Sequence, residues 1–184
     1  MHRTIGLLAV VLTVGVSDAN AAESSNADPP LCGAAPGPIG QWRDYRVCRT
    51  VRTFAAGDYC SFAVKSEVVV DEERIRTLAV DASGKPLVEQ FTGPLVFRFT
   101  NTATGKSALG DVSGDADAFH HPDGRDTWIL HDGFFLNVSK YVTTNVPPGL
   151  YVLSGGSIFE VADRTHFRIT PLGKMENMCE TLAN

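Results

Sequence analysis

The chain has 184 residues, with 16 Lys+Arg against 21 Asp+Glu and a net charge of -5. That balance excludes nucleic-acid recognition through a broad basic surface. With 43% apolar and 20% charged residues the chain lies far from disordered compositions and can bury a core.

Met1-His2-Arg3 is a short basic start, Ile5 to Val16 is almost unbroken apolar, and Ala19-Asn20-Ala21 places small residues where a signal peptidase reads. Residues 1–21 therefore read as a secretory signal and the product as secreted, or extracellular. The apolar run is well short of the roughly 20 residues that cross hydrocarbon, and no membrane span is expected. Ala22 stands where a lipoprotein would need Cys. Residues 22–50, rich in Pro and Gly at their start, read as an N-terminal arm, and residues 51–184 as a single domain.

Cys32, Cys48, Cys60 and Cys179 contain no CxxC, and an even count in an oxidising compartment favours two bridges over thiols or metal ligands. Three connectivities are open. Cys32 with Cys48 and Cys60 with Cys179 is preferred, because the first two share the entry segment while the second two flank the β-rich body. A pairing of Cys48 with Cys60 is the next choice.

From Val51 onward, short β-branched and aromatic runs alternate with turn dipeptides. Strands are expected at Ser61 to Val70, Arg74 to Val80, Pro86 to Phe91, Leu95 to Asn101, Ser107 to Val112, Thr127 to His131, Phe134 to Val142, Leu150 to Leu153, Ser157 to Val161 and Thr165 to Ile169. Ser83-Gly84, Thr104-Gly105, Asp123-Gly124, Asp132-Gly133 and Gly155-Gly156 supply residues that tolerate positive φ in hairpin turns. Alternation is clearest at Leu95-Val96-Phe97-Arg98-Phe99 and at Thr165-His166-Phe167-Arg168-Ile169. No sustained helical stripe appears, so the fold class is all-β. An antiparallel β-sandwich is favoured, with a closed β-barrel as the alternative.

Gly110 to Gly133 is dense in carboxylates, with Asp111, Asp115 and Asp117 as candidate metal ligands and Asp123, Asp126 and Asp132 beyond them. Such carboxylates repel unless hydrated or bridged, and calcium suits oxygen ligands on loops. The spacing is not that of an EF-hand. The plain expectation is a solvated acidic loop and no cofactor, with calcium as the alternative. His120, His121, His131 and His166 suggest zinc, but a two-residue Asp123-Gly124 turn would set His121 across from Asp126 and His120 across from Thr127, leaving His131 remote. These are read as surface histidines, with His121 near Asp126.

No GxSxG is present, and the cysteines are spent on bridges, so no nucleophile can be placed. Trp128, Phe134 and Phe135 are the candidate binding residues. Consecutive Phe134 and Phe135 must point to opposite faces of a strand, so one ring enters the core and the other needs a neighbour, a ligand or another chain to cover it. Asn137-Val138-Ser139 has the form of a glycan acceptor.

Phe54-Ala-Ala-Gly57-Asp-Tyr-Cys60-Ser-Phe62-Ala-Val64, Gly93-Pro94-Leu-Val-Phe-Arg-Phe-Thr-Asn101 leading to Thr104-Gly105-Lys106, and Pro148-Gly149-Leu-Tyr-Val-Leu-Ser-Gly155 together resemble small exported actinobacterial β-rich proteins of unknown function. The similarity spans roughly Thr50 to the C-terminus, and Cys179 before Glu180-Thr-Leu-Ala183 fits it. The resemblance implies export, β structure and the Cys60 to Cys179 pairing, and it implies no activity. The function expected is thus a non-enzymatic binding or envelope-associated protein with an unknown extracellular ligand or protein partner. The alternative is a small extracellular hydrolase, with or without metal assistance, with the acidic segment and His131 near its site.

Overall fold

The computed structural model describes residues 33, 37–48 and 50–183. The expected signal segment and Cys32 lie outside the described residues.

The described residues form fourteen strands and one short helix: β1 (Arg43–Asp44), β2 (Val51–Phe54), β3 (Val64–Asp71), β4 (Arg74–Val80), β5 (Pro86–Gly93), β6 (Leu95–Asn101), β7 (Ser107–Asp111), β8 (Gly114–His120), β9 (Asp126–Leu130), β10 (Phe134–Val138), β11 (Gly149–Ser154), β12 (Ser157–Val161), β13 (Phe167–Pro171), β14 (Lys174–Asn177) and α1 (Met178–Thr181). The chain is all-β. Three antiparallel sheets form, ordered β1-β4-β5-β8-β9-β12-β13, β2-β3-β6-β7 and β10-β11-β14. None closes on itself, which excludes the barrel and leaves the sandwich class.

The three sheets derive from one simple path. Strands pair off as seven consecutive legs, β1/β2, β3/β4, β5/β6, β7/β8, β9/β10, β11/β12 and β13/β14, running up and down in sequence order. Each leg breaks once and changes sheet. On one side of the break the legs form the continuous seven-stranded sheet; on the other they part between β7 and β10 into four and three strands.

The breaks lie side by side and are bonded to one another. Glu72 N donates to Pro94 O (2.9 Å), Val112 N to Leu95 O (3.0 Å), Gly133 N to Ser113 O (3.0 Å) and Leu172 N to Gly156 O (3.0 Å). At the glycines of the crossings the backbones leave no room for a side chain. A Cβ on Gly133 would lie 2.5 Å from Ser113 O, and Gly93, at φ 131°, presses on the Glu72 carbonyl. Asp132-Gly133 and Gly155-Gly156 are therefore sheet crossings rather than the hairpin turns expected of them. Ser83-Gly84, Thr104-Gly105 and Asp123-Gly124 do close hairpins, joining β4 to β5, β6 to β7 and β8 to β9.

Period-two alternation sets the layers. One cross-strand row of the seven-stranded sheet, Thr77, Glu89, Ala118, Trp128, Phe159 and Ile169, is buried throughout. The neighbouring row, Arg76, Gln90, Asp117, Ile129, Ile158 and Thr170, faces the other way. Strand β10 is covered on both faces: Phe134 packs on Phe159 of the seven-stranded sheet, and Phe135 on Phe54, Phe97 and Phe99 of the four-stranded one.

Part of the expected arm belongs to the body. β1 pairs with β4, and Tyr45 and Val47 are buried in the core. Val47 N donates to Asp71 Oδ2 (2.9 Å), and Arg46 Nη1 donates to Asp71 O (2.9 Å). Cys60 is bonded to Cys179 across a sequence separation of 119, which excludes the Cys48 to Cys60 pairing. Cys48 is also disulfide-bonded, and its expected partner is outside the described residues.

Gly133→Ala should lower stability by about 1–3 kcal/mol, because the added methyl meets the Val112–Ser113 backbone at a position whose φ is not positive. Urea denaturation measures the loss; a change below about 0.5 kcal/mol would show that the crossing tolerates a side chain.

Candidate functional site

The segment expected to be an acidic loop is a strand, a hairpin turn and a second strand. Its aspartates are separated by the fold. Asp111 ends β7 and accepts from Ser113 N (3.0 Å), and the Ser113 hydroxyl and amide hold its carboxyl below the ordinary value. Asp115 and Asp117 share the open face of β8. Among the described residues no group of three or more His, Cys, Asp or Glu is placed to hold a metal ion.

The β8–β9 hairpin runs one residue out of step with the expected register. Asp123-Gly124 do not form a two-residue turn. His121 N donates to Arg125 O and Gly124 N to His121 O, so Pro122 starts the bend and Gly124 sits at φ 88° in a three-residue loop. One residue of slip exchanges faces. His120, not His121, pairs with Asp126 and turns inward, while His121 Nε2 lies 3.0 Å from Thr127 Oγ1. His120 is thus not a surface histidine.

The inward imidazole lies between two carboxylates, with Nδ1 2.7 Å from Asp126 Oδ1 and Nε2 3.2 Å from Glu89 Oε2. Glu89 is buried and accepts from Thr77 Oγ1 (3.1 Å), which in turn accepts from Arg43 Nη2 (2.9 Å). The hydrogen bonds to Asp126 and then Glu89 push His120 up to about 9. With both nitrogens engaged and the ring charged, His120 is no general base. A second acid, half-buried Glu73, lines a 30 Å³ cavity with Val47, Phe91 and Phe134 at the crossing, and its loss of solvent, then the charge of Asp71, pushes it up to about 7.

The three aromatic candidates are buried: Trp128 at 5%, Phe134 at 5% and Phe135 at 2% exposure. Of the three coverings open to the second Phe ring, a neighbouring sheet is the one found. Trp128 packs on Phe91 and stands perpendicular to the His120 ring. Asn137 is fully buried, which closes the glycan acceptor pattern to modification in the folded protein.

The open face of the seven-stranded sheet carries a groove of about 400 Å³ lined by Trp42, Arg76, Gln90, Thr92, Asp115, Asp117 and His131. It unites two of the candidate metal ligands with the histidine of the hydrolase alternative. Four of its polar side chains are fixed by one another: Arg76 Nε donates to Gln90 Oε1 (2.7 Å), Gln90 Nε2 donates to Asp117 Oδ1 (2.7 Å), and His131 Nε2 lies 2.8 Å from Asp117 Oδ2. Partial burial pushes Asp117 up, but the bonds from His131 and Gln90 outweigh it and hold the carboxyl below its ordinary value. Half-buried Trp42 walls one end, with the Arg76 guanidinium 4.6 Å from its ring centre. Trp42, Arg76 and Gln90 were not among the sequence candidates. Their signal was the alternation Arg74-x-Arg76 around apolar Ile75, and a Trp two residues before Asp44 in a segment read as arm.

A larger depression of about 640 Å³ lies at the hairpin ends, lined in part by His121, Arg125, Asn145, Glu160, His166 and Arg168. Its polar groups are largely engaged: Arg125 with Asp123 (2.8 Å), His166 with Asp163 (3.0 Å), and the Asn145 amide with both backbone groups of Ile169. The groove is the better-prepared site. No helix among the described residues is long and apolar enough to cross a membrane. Compared with family models, curated proteins and solved structures, the chain matches none.

His120 and Glu73 both hold protons more tightly in the folded chain, so stability should fall as pH rises. The loss runs from 4.5 through about 7 for Glu73, and from 6.5 through about 9 for His120. Melting temperature against pH should slope downward over both windows, with Glu73→Gln flattening the lower and His120→Gln the upper. A flat wild-type profile contradicts both assignments.

Proposed function

We propose that the protein is a secreted, disulfide-stabilised binding module, non-enzymatic, whose extracellular ligand occupies the Trp42 to His131 groove. The observation that carries this reading is the fixed row Arg76–Gln90–Asp117–His131 beside an indole. Side chains already held by their neighbours on rigid strands lose little freedom when a ligand arrives. The Cys60–Cys179 bridge suits an oxidising compartment, in keeping with export.

The Asp117–His131 pair favours a second reading, a hydrolase in which Asp117 orients His131 as base. The groove residues then offer Thr92 as the hydroxyl nucleophile and no Ser or Cys. This weakens it relative to binding.

The chain has two tryptophans, and Trp128 is buried, so a fluorescence change on ligand addition reports Trp42. Titration with soluble oligosaccharides and short peptides should shift the emission for at least one class, and Trp42→Ala should abolish the shift with circular dichroism unchanged. Turnover of a chromogenic ester or peptide, lost in His131→Ala, would replace this reading with the hydrolase.

A further inference from the structure

The groove is electrically divided along the sheet. Its first strand, β4, presents Arg74 at the rim and Arg76 in the lining; β5 presents uncharged Thr92 and Gln90; β8 presents Asp115 and Asp117. Register places Arg74, Thr92 and Asp115 in one row and Arg76, Gln90 and Asp117 in the next. Cations and carboxylates are therefore two strand spacings apart, about 10 Å. At that distance they do not pair with each other.

The two ends are not equally engaged. Asp117 has both oxygens bonded within the row. Among the described residues Arg74, Arg76 and Asp115 form no ion pair, and Asp115 is exposed. Asp44 stands across from Arg74 on β1 without pairing with it, so Arg76, against Trp42, is the better-placed cation. Opposite charges held apart on one rigid face complement a ligand whose own charges are similarly separated and reversed.

Resting on the groove as the binding site, we infer that its ligand is an extended zwitterion, with a carboxylate set against Arg76 and Arg74 and an ammonium against Asp115. Thr92 and Gln90 then lie under the uncharged middle of the ligand. A short peptide with acidic and basic side chains, or a free ω-amino acid, carries this chemistry.

The test is an NMR titration at low salt following the Trp42 indole and His131 signals. Aminobutanoate, aminooctanoate, octanoate, octylammonium, a blocked Glu-Gly-Lys peptide and a neutral tetrasaccharide are the probes. Aminooctanoate or the peptide should bind about tenfold tighter than either singly charged compound and than aminobutanoate. Which of those two binds tighter separates the sources. Arg76→Gln and Asp115→Asn should each abolish that advantage, with Arg74→Gln as the variant that leaves the Gln90 row intact. If singly charged compounds or the tetrasaccharide bind as well as the zwitterions, the inference is wrong and the groove still binds; if no probe moves either signal, the inference and the binding reading both fall.

Discussion

Close approach of backbones along one line governs this molecule. Seven legs of an up-and-down chain must each change sheet at the same level, and they can do so only where neighbouring main chains touch. Gly133 against Ser113 and Gly93 against Glu72 show how little room remains. Contacts this close leave no play between neighbouring legs, so the line restrains the register of the sheets it joins, together with the positive-φ glycines of the hairpin loops.

The two faces of the seven-stranded sheet follow from that register. The inward face puts Glu89 and His120 in successive rows, where each ring nitrogen finds a carboxylate partner. The adjacent row puts Arg76, Gln90 and Asp117 outward, where the same strand spacing turns three ordinary polar residues into a bonded series. A one-residue slip would exchange the two sets, burying the groove residues and exposing the histidine.

That sensitivity explains what the sequence disclosed. Strands with strong alternation were legible, and Arg74–Val80, Leu95–Asn101 and Ser157–Val161 have the expected limits. β8 was not, because Asp115 and Asp117 at alternate positions look the same in a solvated loop as on the open face of a strand. The Asp123-Gly124 pair suggested a two-residue turn, and Pro122 ahead of it was the overlooked sign of a longer one. Phe134 and Phe135 were rightly given opposite faces, but adjacency in sequence cannot say that a third sheet covers the outer ring. Glycines near five of the seven crossings, Gly93, Gly114, Gly133, Gly155 and Gly173, recur along the chain and mark the line of breaks from β5 onward. Trp42 was hidden by its neighbourhood, since proline and glycine before it suggested an arm while Tyr45 and Val47 after it already alternated as a strand does.

Hydrogen exchange at single amides examines the line of crossings directly. If it organises the fold, the amides of Glu72, Val112, Gly133 and Leu172, each bonded across a crossing, exchange only through global unfolding and share one free energy. Rapid exchange at these four, with slower exchange in the hairpins on either side, would contradict the account.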